Sequence, residues 1–283
     1  MSVFYINGDF VDADNASISA RDLAILRGFG VFDFLRTYGG VPFQLGAHLR
    51  RLQRSADLIE LACPWDLEEL GEIVMETLRR NHYDESGIRL VVTGGDSPNG
   101  FMPGGGSRLL VMATALHNLP AAAYQRGAAV ATVEQHRHLP EAKTINYIPG
   151  ITAQRKAQRQ VPDAIEAIYC VDGLVVEGTR SNIFICKDGR WITPDDGLLP
   201  GITRAEVIKL LEREGQLELR AVTLDEFYSA DEIVLTSSTK EIVPIVQVDD
   251  LCIGAGVPGE NSRRLMRQWR EMTDAYAAAG VVV

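Results

Sequence analysis

A chain of 283 residues, 46% of them hydrophobic, can bury a large core, and this composition excludes an intrinsically disordered protein. The formal net charge of −10 argues against nucleic acid or an anionic membrane as the main partner. The sequence has no run of 18 apolar residues and no basic-then-apolar signal at its N-terminus. Its four cysteines lack C-x-x-C spacing, which is typical of free thiols in a reducing compartment. We therefore expect a cytoplasmic protein that binds neither nucleic acid nor membrane.

The first 116 residues alternate between short strands and helices, which predicts a small N-terminal α+β domain. Turn residues predict hairpins around Asn7-Gly8 and Gly39-Gly40. The predicted elements are hairpins within 4–11 and 31–45, helices over 48–63 and 67–78, and strands over 88–93 and 109–113. Between those strands, residues 94–107 are rich in Gly, Pro and Asn, which predicts a mobile loop over a site. A linker is predicted over 117–123.

Residues 124–283 predict a larger C-terminal domain in which strands again alternate with helices. The predicted strands are 128–133, 167–171, 174–177, 182–186, 190–193 and 231–235, and the helices are 152–160, 203–214 and 260–279. Turns at Asp172-Gly173 and Asp188-Gly189 predict that the four strands between 167 and 193 form an antiparallel meander.

Lysine is scarce, since only Lys143, Lys156, Lys187, Lys209 and Lys240 occur among the 28 Lys and Arg residues. A lysine amine can lose its proton and attack a carbonyl to form a Schiff base, which arginine cannot do. Lys187 lies in a turn, and Lys156 and Lys209 lie in helical stretches rich in charge. Lys143 follows a strand and a proline and has neutral neighbours. It is therefore the candidate nucleophile, although a lysine in a surface loop has the same appearance.

Three stretches of the sequence could bind an anion together. Leu199-Pro200-Gly201-Ile202-Thr203 opens a helix, where backbone N–H groups and the helix dipole favour a phosphate. Thr236-Ser237-Ser238-Thr239 offers four hydroxyl groups after a buried strand, and Arg50-Arg51 lies on the first helix. Each stretch also has an ordinary interpretation as a helix cap, a polar turn or solvated arginines.

Two further charged positions and a histidine pair attract attention. Glu177 ends a strand, where it is either solvated or holds a proton on a heteroaromatic nitrogen. Arg89 interrupts an apolar strand, and a charge there is costly unless it pairs with a carboxylate or faces a site. His136 and His138 would share one strand face but have no third ligand in view, so we predict no metal site.

The order and spacing of these motifs resemble those of the class IV pyridoxal-phosphate aminotransferases. That family includes branched-chain and D-amino-acid aminotransferases and aminodeoxychorismate lyase. The matching stretches are 48–52, 143–147, 177–184, 201–204 and 236–244. The resemblance implies a two-domain α/β (α+β) protein of fold type IV with the cofactor at the domain interface. It also implies a homodimer with shared active sites.

The resemblance further implies roles for individual residues. Lys143 would be the catalytic lysine that forms a Schiff base with pyridoxal 5′-phosphate and transfers protons, and Glu177 would partner the pyridine nitrogen. Tyr147 would approach the 3′-oxygen of the cofactor. The remaining cofactor-binding residues would be Arg51, Ile202, Thr203, Ser237 and Ser238 at the phosphate and Leu199 against the ring.

The substrate side departs from the well-studied D-amino-acid aminotransferases, which carry an arginine in the loop after strand 88–93. Here residues 96–101 contain no basic residue, and the stretches around Arg27 and Arg89 resemble a non-standard subgroup of these enzymes. The expected substrate-binding residues are Arg27 (from the neighbouring subunit), Phe32, Arg89, Arg180, Thr239 and Lys240.

This resemblance implies D-glutamate and D-alanine as amino donors, with 2-oxoglutarate or pyruvate as acceptors. A branched-chain L-amino-acid aminotransferase and an aminodeoxychorismate lyase are the alternatives within the family. A non-catalytic protein that binds a cofactor or metal is the alternative from another class, and it would not need Lys143.

Overall fold

The computed structural model describes residues 2–280, which divide into two compact units. Of these residues, 2–117, 142–146 and 274–280 form the first unit, and 118–141 and 147–273 form the second. Across the described range, every helix is too short or too polar to cross a membrane. The stretch 142–146, which contains Lys143, belongs to the first unit although the residues on both sides of it in sequence belong to the second.

The first unit is built on a six-stranded sheet with strand order β2-β1-β6-β5-β3-β4, all neighbours antiparallel. A short 3-10 helix follows β2. The other elements are β1 (Val3–Ile6), β2 (Asp9–Asp12), α1 (Leu23–Arg27), β3 (Gly30–Tyr38), β4 (Val41–Pro42), α2 (Leu45–Leu58), α3 (Leu67–Arg79), β5 (Ser86–Thr93) and β6 (Arg108–Ala115).

One face of this sheet is covered by α2 and α3. Leu49 and Leu52 of α2 and Leu70 and Val74 of α3 are buried in one cluster with Leu90 of β5. Burying a side chain of this size contributes about 1.5–3 kcal/mol, so this face holds the core of the unit. Since side chains alternate along a strand, Arg89 points to the opposite face of β5 from Leu90. The arginine in the apolar strand is therefore exposed rather than buried in the core.

Most predicted elements of the first unit are confirmed, with shifted ends. The second hairpin is shorter than expected, because α2 already begins at Leu45. That helix ends at Leu58 rather than at residue 63, since Glu60 has a φ of 55°, outside the helical region. The first hairpin, α3, β5 and β6 lie where the sequence patterns place them.

Residues 94–107 form an irregular loop that is pinned at its base. A Cβ on Gly95 would lie 1.8 Å from the carbonyl oxygen of Gly106, so the two ends of the loop touch. Arg108 Nη1 donates to Asp96 at 2.8 Å and to buried Asp22 at 3.1 Å. Asp22 also caps α1 through the amide N–H of residue 24. The loop base and α1 are therefore fixed together, and the mobility of the loop tip stays a prediction.

The second unit is built on a ten-stranded mixed sheet. Its strand order is β12-β11-β10-β14-β15-β7-β8-β9-β13, with β16 on β15. The elements are α4 (Ala121–Gln125), β7 (Ala128–Glu134), α5 (Ile148–Gln160), β8 (Ala164–Val171), β9 (Leu174–Gly178), β10 (Asn182–Lys187), β11 (Arg190–Thr193), α6 (Ile202–Glu212), β12 (Leu217–Leu219), β13 (Val222–Thr223), α7 (Leu224–Tyr228), β14 (Glu232–Ser237), β15 (Glu241–Val248), β16 (Leu251–Cys252) and α8 (Glu260–Ala279). The part of α8 from Asp274 onward belongs to the first unit.

The predicted antiparallel meander is wrong at one connection. The hairpins β8–β9 and β10–β11 form at the expected Asp-Gly turns. However, β9 pairs with β13 on its other side and β10 pairs with β14, so β9 and β10 are not neighbours. The residues between them, 179–181, direct polar groups to Glu166 instead of closing a hairpin. Alternating hydrophobicity identifies strands but not their neighbours.

Other predicted elements are close to those observed. Helix α5 begins at Ile148, four residues before the predicted start, because Pro149 fits the first helical turn. Strand β15 was not predicted; it contains Pro244, a residue that argues against a central strand. Strand β7 ends at Glu134, so His136 and His138 follow the strand rather than share its face. Among residues 2–280, no group of three or more His, Cys, Asp or Glu could hold a metal ion.

Candidate active site

The segment that contains Lys143 adds to the edge of the first sheet. Phe32 N–H donates to the Lys143 carbonyl at 2.9 Å, and Ile145 N–H donates to the Gly30 carbonyl at 3.0 Å. The Lys143 N–H donates to Ser55 Oγ of α2 at 3.1 Å. Three hydrogen bonds thus fix the backbone around Lys143, so this lysine is not in a free surface loop.

Two cations flank one aromatic ring in the first unit. Lys143 Nζ lies 4.7 Å from the centre of the Phe32 ring, and Arg89 Cζ lies 5.1 Å from the same centre. Arg89 also lies 5.4 Å from the ring centre of Phe34, the residue opposite it on β3. Cation–π attraction favours both placements. The structure therefore brings together three predicted site residues, Lys143, Phe32 and Arg89.

Arg51, predicted to bind phosphate, is held by a buried acid. Arg51 Nε and Nη2 each donate to Asp33 at 2.8 Å, and His48 Nδ1 lies 2.7 Å from Asp33 Oδ1. Asp33 is fully buried; burial alone would raise its pKa, but Arg51 and His48 together hold the pKa well below its usual range. Burial lowers the pKa of His48, which favours the neutral imidazole. Arg51 is thus fixed in orientation by a bidentate ion pair.

Arg27 lies at the end of α1, where Gly28 adopts the left-handed conformation with φ 64°. The Arg27 side chain is exposed, and Nη1 donates to the Leu26 carbonyl at 2.7 Å. Its Nη2 atom is 4.0 Å from the position that a Cβ on Gly100 would take. Arg27 therefore lies against the tip of the loop formed by residues 94–107.

In the second unit, Glu177 is almost completely buried and has two partners. Its Oε1 atom pairs with Arg137 Nη1, and its Oε2 atom accepts the Leu199 N–H at 3.0 Å. Asn182 Nδ2 donates to the Leu199 carbonyl at 2.9 Å, so both backbone groups of Leu199 are fixed. Glu177 is therefore not a solvated strand end. Arg137 is a functional candidate that sequence reasoning missed, because nothing in the pattern around it signals a partner 40 residues away.

The start of α6 is suited to an anion. A Cβ on Gly201 would lie 1.9 Å from Asn182 Oδ1, so this helix cap must be glycine. The cap therefore has no side chain, and no side-chain hydrogen bond caps the helix. The amides of Ile202 and Thr203, and the buried Thr203 hydroxyl, thus lie at a helix end that the dipole makes attractive to phosphate.

The turn between β14 and β15 supplies hydroxyl groups. Ser237, Ser238 and Thr239 are half-buried, and Ser237 Oγ lies 3.3 Å from Thr239 Oγ1. Thr236 Oγ1 is among the few buried polar side-chain atoms of the described residues that have no hydrogen-bond partner. These neutral donors, with the helix end, suit an anion such as phosphate.

The remaining predicted site residues also lie in the second unit. Tyr147 immediately precedes α5 and is half-buried. Tyr169, opposite Glu177 in the β8–β9 register, has its pKa raised to about 12, chiefly by burial. Arg180 is exposed, whereas Lys240 is only 4% exposed and pairs with Glu166 at 2.8 Å. Lys240 thus differs from the exposed arginines that are also predicted to bind substrate.

Comparison with known proteins places this geometry in a family. Residues 30–248 match the model of the amino-transferase class IV family. The protein is a class IV aminotransferase. Class IV aminotransferases use pyridoxal phosphate and act on amino acids and keto acids, and this chain shares that cofactor and chemistry.

Relatives of this class IV aminotransferase carry two kinds of name. This chain is 36% identical over 277 residues to the "Putative branched-chain-amino-acid aminotransferase" of Methanocaldococcus jannaschii, with 95% of each chain covered. It is 34% identical over 258 residues to the D-alanine aminotransferase of Bacillus licheniformis, which covers 89% of this chain and 90% of the relative. The names therefore leave the substrate open.

Solved structures agree on the fold. The branched-chain amino acid aminotransferase of Escherichia coli superposes with a TM-score of 0.89 at 26% identity, covering 96% of this chain and 94% of that one. The predicted fold type IV architecture, a mixed α/β protein with two sheets, is confirmed. Because the protein is an aminotransferase, the alternative of a non-catalytic protein that only binds a cofactor or metal is excluded.

Proposed function

We propose that this class IV aminotransferase transfers the amino group of D-glutamate or D-alanine to 2-oxoglutarate or pyruvate. The observation that carries the proposal is Arg89, exposed beside Lys143 on the shared Phe32 ring. A guanidinium binds a carboxylate through charge-assisted hydrogen bonds, whereas an aliphatic side chain gains nothing from it. The D-alanine aminotransferases among the relatives support this reading.

The chain supplies a group for each part of the cofactor. Arg51, the α6 amides and the hydroxyls of Ser237 and Ser238 would hold the phosphate, and Leu199 would pack against the ring. Tyr147 would lie at the 3′-oxygen. Bound pyridoxal phosphate supplies an electron sink for the bond that breaks at the α-carbon of the amino acid.

Two residues of the chain carry the chemistry in this proposal. The Lys143 amine would bind the cofactor carbonyl and would be released when the amine of the amino acid takes its place; its Nζ would then carry the α-proton to the cofactor carbon on the other side of the substrate nitrogen. The Glu177 carboxylate would keep the pyridine nitrogen of the cofactor protonated. Arg137 supports this role because a cation beside Glu177 favours its ionised form.

The proposed stereochemistry depends on which cations hold the substrate. Lys143 would move a proton on one face of the cofactor ring only. The enantiomer that reacts therefore depends on where the α-carboxylate of the amino acid is held. Arg89 offers one carboxylate site, and Arg27, Arg180 and Thr239 are further candidates for substrate contact.

We also infer that Arg27 acts in the site of a second copy of the chain, as part of a homodimer. Its α1 neighbours Ile25 and Leu26 are 62% and 38% exposed, and Phe101 of the adjacent loop is 69% exposed. Large exposed apolar side chains grouped on one surface are typical of a protein interface. Sedimentation analysis of the wild type and of Phe101→Asp tests this part of the proposal. A monomeric wild type contradicts it.

A branched-chain L-amino-acid aminotransferase is the second candidate. It is favoured by the 36% identity to the Methanocaldococcus jannaschii relative and by the superposition on the Escherichia coli enzyme. It requires a pocket apolar enough for an aliphatic side chain, and Phe32 is a residue that could line one.

A screen of half-reactions separates the candidates. Single amino acids are added to the holoenzyme without a keto acid, and the absorbance of the cofactor is followed. D-Glutamate and D-alanine should convert it rapidly, and L-leucine and L-valine slowly. Fast conversion by L-leucine with none by D-glutamate would establish the branched-chain activity instead. Release of pyruvate from aminodeoxychorismate without an acceptor would indicate the lyase.

A further inference from the structure

Glu166 is a buried carboxylate that the proposed reaction does not use. It lies on β8 and is fully buried. Its Oε1 atom accepts hydrogen bonds from Thr179 Oγ1 at 3.2 Å and from the Arg180 N–H. Its Oε2 atom accepts from Ser181 Oγ at 2.8 Å and pairs with Lys240 Nζ at 2.8 Å. Four donors therefore converge on one carboxylate.

The partners of Glu166 come from two segments that are far apart in sequence. Residues 178–181 directly follow Glu177, and Lys240 closes the turn that contains Ser237 and Ser238. A Cβ on Gly178 would lie 2.7 Å from Glu166 Oε1, so the loop approaches the carboxylate as closely as glycine allows. Glu166 thus links residues 178–181, which follow Glu177, to the turn that contains Ser237 and Ser238. Glu177 is the proposed partner of the pyridine nitrogen, and the two serines are proposed phosphate ligands.

Lys240 is held at both ends. Its Nζ atom donates to Ser181 Oγ at 3.0 Å as well as pairing with Glu166. Its backbone N–H donates to Ser237 Oγ at 3.2 Å, and its carbonyl accepts from Tyr124 Oη at 3.1 Å. Burial alone would raise the pKa of Glu166, but Lys240 lowers it, so the carboxylate stays ionised. For Lys240 to reach a substrate, it would have to leave a buried charge without its cation, which is strongly unfavourable.

We propose that Glu166 and Lys240 are positioning residues. They hold the turn with Ser237 and Ser238, and residues 178–181 that follow Glu177 in sequence, in fixed positions, and Lys240 does not contact the substrate. This reassigns Lys240, which the sequence groups with the substrate cations. The inference rests on the proposed roles of Ser237, Ser238 and Glu177 in cofactor binding, and it is independent of whether the substrate is a D- or an L-amino acid.

The test uses the full-length holoenzyme and the variants Glu166→Gln, Lys240→Met and the double variant. Dissociation of pyridoxal phosphate is measured without amino acid, and pyridoxal, which lacks the phosphate, is the comparison ligand. Each single variant should weaken pyridoxal-phosphate affinity by about tenfold, the effect of one lost charge-assisted contact, and pyridoxal affinity by less. The double variant should lose no more than either single variant, because all three break the same link.

The half-saturating concentration of D-glutamate, or of the best donor from the screen, is then measured at saturating cofactor. It should change by less than about threefold in both single variants. If Lys240→Met raises it strongly while Glu166→Gln does not, Lys240 contacts substrate and the proposal is wrong. If one single variant fails to fold, the double variant, which removes both buried charges, replaces it in the comparison of half-saturating concentrations with the other single variant. A strong rise in the double variant with no rise in Glu166→Gln, or a strong rise in both the double variant and Lys240→Met, would then overturn the proposal.

Glu232→Gln is the matched control. Glu232 is also a buried glutamate of the second unit, but it accepts from the amides of residues 261 and 262 at the start of α8. This variant should lower the melting temperature without weakening cofactor binding. The same result for Glu166→Gln, a lower melting temperature with unchanged pyridoxal-phosphate affinity, would make Glu166 merely structural and overturn the proposal.

Discussion

The two units of the protein use charged side chains in different ways. In the first, Lys143 and Arg89 both lie against one ring, that of Phe32, and Arg89 is exposed. In the second, the cations Arg137 and Lys240 are paired with the buried carboxylates Glu177 and Glu166. The second unit also has neutral N–H groups at the start of α6 and half-buried hydroxyl groups in the turn after β14. Two cations of the first unit therefore share an aromatic ring, whereas these two cations of the second unit each neutralise a buried carboxylate.

Removing the lysine of the first unit gives the largest expected effect. Lys143→Ala should abolish multiple turnover, because no amine remains to bind the cofactor or move the proton. The measurement is steady-state turnover, combined with borohydride reduction of the wild type and peptide mapping of the label. Lys156→Ala, at an exposed position on α5, is the control and should retain activity. A label on any lysine other than Lys143 contradicts the assignment.

The acid of the second unit comes next. Glu177→Gln should retain the cofactor but slow the half-reaction by about 10²–10³-fold, because a neutral amide cannot stabilise a protonated ring nitrogen. Stopped-flow absorbance measures the rate. Glu232→Gln again serves as the buried-glutamate control. Near wild-type rates for Glu177→Gln would remove it from this role and weaken the contrast between the units.

The first unit also pairs a cation with a buried acid, since Arg51 is held by Asp33, and this pair extends the comparison to stability. Asp33→Asn should lower the free energy of unfolding at pH 7 by about 3 kcal/mol, since it leaves the Arg51 charge without its partner. The pKa of Asp33 lies below its usual range in the folded protein, so its contribution is fully present above the unfolded carboxyl pKa of about 4 and is lost as pH falls.

Denaturant unfolding of wild type and Asp33→Asn between pH 3 and 7 measures how the free energy of unfolding of each depends on pH. The difference between them should narrow as the solution becomes more acidic. Apart from this difference, the lowered pKa of His48 makes the wild type itself less stable as the pH falls, because the unfolded chain takes up that proton first. A difference that widens toward low pH would mean that Asp33 is not the ionised partner of Arg51.

The smallest expected effect tests the substrate side. Arg89→Gln should raise the half-saturating concentration of D-glutamate by roughly 10- to 100-fold and leave kcat and cofactor binding nearly unchanged, because one charge-assisted contact is lost. Arg50→Gln, on an exposed position of α2, is the matched control. If Arg89→Gln leaves the D-glutamate dependence unchanged, the carboxylate is held elsewhere.

Local patterns predicted much of the fold. The first hairpin, α3 and α8 follow from turn residues and from apolar spacing, which act within a few residues. The neighbours of β9 and β10 could not be predicted in this way, because strand pairing depends on contacts far apart in sequence. Arg89 stood out because a charge inside an apolar strand breaks a local rule.

The partners of the site residues were harder to predict than the residues themselves. Asp33 and Arg51 lie on different elements, and Glu166 and Lys240 are 74 positions apart, so no spacing connects them. His48 and Arg51 share a helix face, which is a signal that sequence reasoning could have used. The roles of the site residues themselves remain predictions for the proposed experiments.

The segment formed by residues 142–146 pairs with β3 through a single β-bridge, which has a consequence for dividing the protein into fragments. A fragment that begins at residue 118 would contain Lys143 in its sequence but would lack β3, whose backbone fixes that lysine. Lys143 would then lie in an unpaired segment between β7 and α5. Adding residues 1–117 in trans would restore the missing sheet edge, and the segment 142–146 would pair with it as an added peptide does. The activity recovered when the two inactive fragments are mixed would thus measure how well the segment 142–146 pairs with β3.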